Sequence, residues 1–425
     1  MANARSQIAA KARSARYHAC RVFSPSPSTV EIAMPLKLTF FLACLFVFPL
    51  AHSVPRIPAS DDVVLERLPF RPNDPIAREM VDLRKALRRD PRDQAVALKL
   101  AQRYYGLVAE EGDPRYIGYA QAALGSWWTM DEPPVDIQVM RASLRQFNHD
   151  FSGAVRDLDS VIVRYPAHAQ ARALRATIHM VQARYALART DCQALFGLTD
   201  EVIATGCLAM VDGLTGNAQP AYDTLRATLA RHPEARPDER LWVLLRLAEM
   251  SQRIGKLEVA EQHFRQALAL DIPDTFMLAA YADLLMDQKR ATEVVALLKD
   301  RTRSDVLLLR LVFAERMLKL PDAGTLQETL AARYAAAQLR GDTVHQQEEA
   351  RFVLAIDGDA NKALDLALKN WTVQREPRDA RIVLESALAA KKPAAAQPVL
   401  NWLTESRIED VILSALARQF TGVAQ

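Results

Sequence analysis

The sequence predicts an all-α chain folded as one row of about nine helix hairpins over residues 76–420, with one extra helix before the row and one after. Three observations predict this. Half of the 425 residues are apolar while only 14 are Gly, and Ala, Leu, Arg and Glu recur throughout, a mixture of high helix propensity with few chain breakers. Similar helical windows return at intervals of 33 or 34 residues, the mark of a solenoid. Gly and Pro punctuate the ends of those windows, where helices turn and stop.

Taken from the first residue, positions 1–33 carry five cations and an SPSPS run, and read most simply as an extension ahead of a true start at Met34. The alternative is a basic cytoplasmic tail before an uncleaved anchor. Residues 34–53, MPLKLTFFLACLFVFPLAHS, have the layout of a secretory signal: one cation at Lys37, an apolar run from Leu38 to Leu50, and a small-x-small site at Ala51-His52-Ser53. That run is 13 residues long, against roughly 20 for a spanning helix. The expectation is therefore an exported, periplasmic protein, or a cytoplasmic one if Met1 is the true start. Residues 54–75 are Pro-rich and read as a linker or a strap.

Six of the 54 Lys and Arg but only one of the 51 Asp and Glu precede residue 54, so the remainder carries 48 basic against 50 acidic side chains. That balance gives no basic stripe for nucleic acid. Of four cysteines, Cys192 and Cys207 remain after the signal. In an oxidising compartment the pair invites a disulfide, and the bland alternative is two small buried apolar groups.

The repeat is plainest in three windows: His149 to Pro166, Gly216 to Pro233 (GNAQPAYDTLRATLARHP) and Gly255 to Pro273. Each opens on a turn, carries Ala154, Ala221 or Ala260, follows four residues later with Leu158, Leu225 or Phe264, and ends at proline. Twelve residues before positions 154, 188, 221, 260 and 294 stand Ala142, Ala176, Ala209, Ala248 and Ala282. Small residues at that spacing let two antiparallel helices approach closely. In the middle window, Gly216-Asn217 makes the turn between helices, Ala221 lies under the partner helix and Pro233 ends the helix.

On these residues the chain resembles the tetratricopeptide repeat (TPR) family, over roughly Pro75 to Phe420, although most of that family's large first-helix residues are missing. The resemblance implies a right-handed α-α superhelix whose first helices line an inner groove. Carried onto this sequence, it implies a candidate protein-binding groove made of Ser143, Gln146, Phe147, Met180, Met210, Trp242, Glu249, Arg253, Phe276, Asp283, Asp287, Glu315, Lys319 and Arg351. The early part of that set is apolar and the later part charged, which suits an extended peptide or a partner helix. Tight supercoiling would instead pack several of these side chains together.

Motifs for hydrolase, zinc-protease, phosphate-loop and dinucleotide chemistry are missing from the sequence, and no cofactor or metal is expected. DGDANK at 357–362 reads as a turn between helices. The cluster RGDTVHQQEEARF at 340–352 is the most suggestive polar patch, with His345, Glu348, Glu349 and Arg351 on adjoining faces where a metal or acid-base site is one reading; the other, favoured here, is a helix start with Thr343 as N-cap and Gln346 closing a capping box. NWTVQREPRDAR at 370–381 reads as a solvated junction. Trp127 and Trp128 read as one core and one outward side chain.

The function expected from all this is a non-enzymatic exported scaffold that holds a protein partner by its groove or edges. One alternative is an assembly or quality-control chaperone for many clients, gripping them by Phe147, Met180, Met210 and Trp242. Another is an envelope enzyme, or the accessory part of a glycan-active system, with Asp283 and Glu315 facing each other across the groove.

Overall fold

The computed structural model describes residues 74–421, so the expectations for the upstream extension, the export signal and most of the Pro-rich segment lie outside the described residues. Helices begin where local chemistry satisfies their free N–H groups. Asp74, Asp93, Asp150, Asp274, Ser304 and Asp359 each accept a backbone N–H at an N-cap, and Pro75, Pro237 and Pro377 open helices where a missing N–H costs nothing.

Twenty α-helices result among the described residues. A leading helix α1 (Pro75–Arg89) precedes the pairs α2 (Gln94–Glu111) and α3 (Arg115–Ala123), α4 (Val135–Phe147) and α5 (Phe151–Arg164), α6 (Ala169–Val181) and α7 (Tyr185–Ala194), and α8 (Glu201–Gly213) and α9 (Ala218–Arg231). The row continues with α10 (Pro237–Arg253) and α11 (Leu257–Leu268), α12 (Thr275–Asp287) and α13 (Ala291–Leu298), and α14 (Asp305–Leu318) and α15 (Ala323–Leu339). It ends with α16 (Gln346–Phe352) and α17 (Ala360–Val373), α18 (Pro377–Ala389) and α19 (Gln397–Ser406), and a closing α20 (Val411–Thr421). The described residues thus make nine hairpins with one helix before and one after, and contain no β-strand beyond a single bridge inside a turn.

Each even-numbered helix from α2 to α18 is followed by its odd-numbered hairpin partner, and the even-numbered helices stack on one another in sequence from α2 to α20. The small positions explain how. Ala142, Ala176, Ala248, Ala282, Ala154, Ala188, Ala260 and Val294 are fully buried, and Ala209 and Ala221 nearly so, because another helix crosses each of them. No hairpin buries its apolar face alone, so the core runs continuously along the row.

The turn inside every hairpin contains one residue with positive φ, at Gly112, His149, Ala183, Gly216, Gly255, Lys289, Lys319, Gly358 and Lys391. The 340–345 segment departs from its expected form. Thr343 is not an N-cap: α16 starts two residues later than expected, at Gln346 behind His345, and Asp342 accepts the Val344 N–H at 3.0 Å instead. DGDANK is a turn, with Gly358 left-handed and Asp359 capping α17. Trp127 is buried while Trp128 is half-exposed, with the Arg145 guanidinium 5.7 Å from its ring centroid.

The row winds back onto itself. Helix α12 touches α2, and a hydroxyl and a methyl from the second turn crowd Gly112. Further along, Arg375 N–H donates to the Val181 carbonyl at 2.7 Å, Trp402 Nε1 donates to the Tyr185 hydroxyl at 3.1 Å, and Ala218 N–H donates to Glu409 Oε2 at 2.6 Å. A Cβ on Gly216 would stand 3.1 Å from the Arg407 carbonyl oxygen. A second superhelical turn therefore lies against the first. Cys192 of α7 and Cys207 of α8 form a disulfide within the first turn.

Candidate functional site: a lumen between two turns

Because the second turn closes over the first, the inner faces of the even-numbered helices surround a cavity of about 510 Å³. Its first-turn wall is built by packing small against large. Gly206, Met210 and Gly213 share one face of α8, and Trp242, Arg246, Glu249 and Arg253 share one face of α10. A Cβ on Gly206 would sit 2.2 Å from the Trp242 ring, and one on Gly213 would sit 3.1 Å from Arg253 Nη2, so both glycines make room for these side chains.

Phe147, Met180, Met210, Trp242 and Phe276 make the apolar side of the lumen. The second turn supplies charge. Asp283 of α12 receives Arg310 at 2.6 Å and Arg351 at 2.9 Å; burial alone would raise its carboxyl, but these two guanidinium groups hold it well below the usual carboxylate range. Asp287 pairs with Arg381 at 2.8 Å, and Glu249 with Arg246 at 2.9 Å. Glu348 is buried, which works against its charge, yet His345, Arg378 and Arg310 lower its pKa. Burial pulls His149 below the ordinary histidine value.

Of the residues carried over as a groove, Gln146, Phe147, Met180, Met210, Trp242, Glu249, Arg253, Phe276, Asp283, Asp287 and Arg351 line this one cavity. Ser143, Glu315 and Lys319 do not. The Ser143 hydroxyl turns back to the Val139 carbonyl of its own helix, at 3.2 Å. Lys319 falls beyond the end of α14, exposed and left-handed, and Glu315 is buried in the last turn of that helix away from the lumen. Asp283 and Glu315 consequently do not face each other across a groove.

Two dense polar patches line the same cavity. His345, Glu348 and Arg351 meet there with Arg375, Glu376, Arg378 and Arg381, whereas helix capping and solvation were the favoured roles. Arg246, Arg310, Glu385 and Asp410 also line it and carried no signal of their own. The paired glycines at 206 and 213, seven apart within one helix, were the available clue to that wall.

A separate recess of about 770 Å³ lies where α7 meets α17 and α19. Trp371 and Trp402 there pack edge to face and are almost wholly buried, so they brace the seam between turns and offer no stacking surface. Among the described residues no group of three or more His, Cys, Asp and Glu is placed to hold a metal ion, and no helix is long and apolar enough to cross a membrane.

No family model matches the chain, and no curated protein matches it. Solved structures do. The chain is similar to a tetratricopeptide repeat protein from Parabacteroides merdae, at 15% identity over 60% of this chain and 91% of that one, with a TM-score of 0.41. It is also similar to a Rap protein complexed with competence and sporulation factor, at 13% identity over 82% of this chain and 99% of that one, TM-score 0.43, and to yeast Tom70, at 11% identity over 82% and 86%, TM-score 0.37.

Proposed function

We propose that this chain is a non-enzymatic, exported scaffold of tetratricopeptide-repeat type that grips an extended segment of a protein partner in its lumen. The observation that carries the reading is the meeting, around one cavity, of apolar side chains, most of them from the first turn, with paired charges, most of them from the second. Its volume falls within the usual few-hundred to 1,000 Å³ range of ligand sites. Apolar surfaces beside fixed polar groups suit an extended segment, whose side chains alternate in direction along the chain. Export is supported by the signal-like residues 34–53 and by the Cys192–Cys207 disulfide, a bond that persists in oxidising compartments.

The many-client chaperone is the weaker reading, because the four side chains it needs are largely packed: Phe147, Met210 and Trp242 are half-buried and Met180 is buried. A photo-crosslinking side chain at Phe276, which lines the lumen and is 48% exposed, tests the proposal in living cells. It is expected to capture one polypeptide, with the same group at exposed Lys319 capturing none of it. Capture of many unrelated chains at Phe276 supports the chaperone; equal capture of that polypeptide at Lys319 removes the lumen from the account. Sequencing the amino terminus of the native protein checks export, with a start near residue 54 expected and a start at Met1 against it.

A further inference from the structure

One pair of opposite charges faces the lumen from different turns without meeting. Arg253 closes α10 in the first turn. Its guanidinium makes a single long hydrogen bond, Nη2 to the Gly213 carbonyl at 3.3 Å, and its buried Nε has no partner. Asp410 caps α20 in the second turn, its Oδ1 accepting the N–H groups of Ile412 at 3.0 Å and Leu413 at 2.9 Å. Each senses the other's charge, yet no ion pair joins them. The neighbouring acids behave differently: Glu249, Asp283 and Asp287 all close pairs with arginines at 2.6–2.9 Å.

Burial outweighs its compensation on both sides of this gap. It pulls the Arg253 guanidinium below its ordinary value, against the charges of Glu249 and Asp410, and pushes the Asp410 carboxyl above its own, against the N–H groups of Leu413 and Ile412 and the charge of Arg253. An anion seated on Arg253 would stand near the Asp410 carboxylate, and a cation seated on Asp410 would stand near Arg253. Either would bury a like-charge contact, which costs most where water is excluded. A neutral group that offers an acceptor to one side and a donor to the other satisfies both.

We infer that Arg253 and Asp410 together form a receptor for a carboxamide, whose oxygen accepts from Arg253 and whose N–H donates to Asp410. The inference rests on the lumen as a peptide seat and names the chemistry it reads there. A carboxamide has two sources in a bound segment: the main-chain amide, and the side chain of Asn or Gln.

The test uses the full-chain protein and a pool of pentapeptides randomised at every position, acetylated at one end and closed as dimethylamides at the other. The pool is equilibrated with the protein, separated by gel filtration and read by mass spectrometry. Two matched pools each remove one source: one lacks Asn and Gln, the other is N-methylated at every peptide bond. Retention from the full pool is expected to favour neutral sequences and to fall at least about tenfold in one matched pool, which names the source. Arg253→Lys, which keeps the charge and loses the planar fork, and Asp410→Asn, which keeps a capping side chain and loses the charge, are each expected to lower retention by a similar factor. Circular dichroism of both variants establishes that the array still folds.

Equal retention from all three pools by the wild-type protein, or enrichment of acidic or basic peptides, overturns the carboxamide receptor and leaves the lumen as a peptide seat. So does undiminished binding by both folded variants. No retention from any pool overturns the receptor and the peptide seat together. The wild-type comparison decides the matter even if a variant fails to fold.

Discussion

Glu261 sits between Arg290 and Arg265, each with a guanidinium nitrogen 2.7 Å from its carboxylate. The Arg290 contact is the main cause of a pKa lowered to about 2, from an ordinary 4.5. A folded-state pKa below the unfolded value means that the stabilisation is complete above the unfolded value and is lost as pH falls toward the folded one. Urea midpoints measured from pH 6 down to about pH 2 should therefore decline in the acid range, and Glu261→Gln should flatten part of that decline. A variant whose acid limb overlays the wild type would show the pair to be idle. Gly206 offers a second residue-scale test. Alanine there gains about 1 kcal/mol of helix propensity, but its Cβ meets the Trp242 ring at 2.2 Å, and overpacking typically costs about 1–3 kcal/mol. A net loss of about 1 kcal/mol is expected by urea denaturation, with a changed emission spectrum from Trp242; a gain in stability would mean the ring is free to move.

At the scale of elements, the regular feature is the turn inside each hairpin, and it shows what the sequence could and could not reveal. The nine turns share one backbone form, but only Gly112, Gly216, Gly255 and Gly358 announce it in residue type. At His149, Ala183, Lys289, Lys319 and Lys391 the chain accepts a left-handed conformation that costs roughly 1–2 kcal/mol without glycine, because packing of the two helices fixes it. The hairpins at His149, Ala183 and Lys289 were legible through their buried small residues instead, since helix crossing demands a small residue even where the turn does not demand glycine. Lys289 is exposed, so Lys289→Gly should raise stability by about 1 kcal/mol. Gly216→Ala should cost more than Gly358→Ala, since the first also crowds the Arg407 carbonyl while the second opens onto empty space. Equal costs in chemical denaturation would detach Gly216 from the second turn.

For the whole molecule, the row of hairpins followed from spacing, but its return onto itself did not. Closure depends on small rotations summed over five or six hairpins, and no local window records that sum. This is why Asp283 and Asp287 were readable as inner-face carboxylates while their partners Arg351 and Arg381, 68 and 94 residues further on, were not paired with them in advance. It is also why a groove was expected where a lumen stands. The disulfide acts at this scale as well: it ties α7 to the helix bearing Gly206 and Gly213, and a loop of 15 residues is worth roughly 3 kcal/mol in chain entropy.

The central claim is that the second turn closes over the first, and amide hydrogen exchange at Ala218 and Arg375 tests it most directly. Ala218 opens α9, where a backbone N–H has no acceptor within its own helix, and its partner is Glu409, 191 residues away; Arg375 donates to Val181 across the same seam. Closure predicts that both amides exchange slowly, and that Glu409→Ala restores fast exchange at Ala218. Exchange at both positions as fast as in an unstructured peptide would contradict the closed lumen.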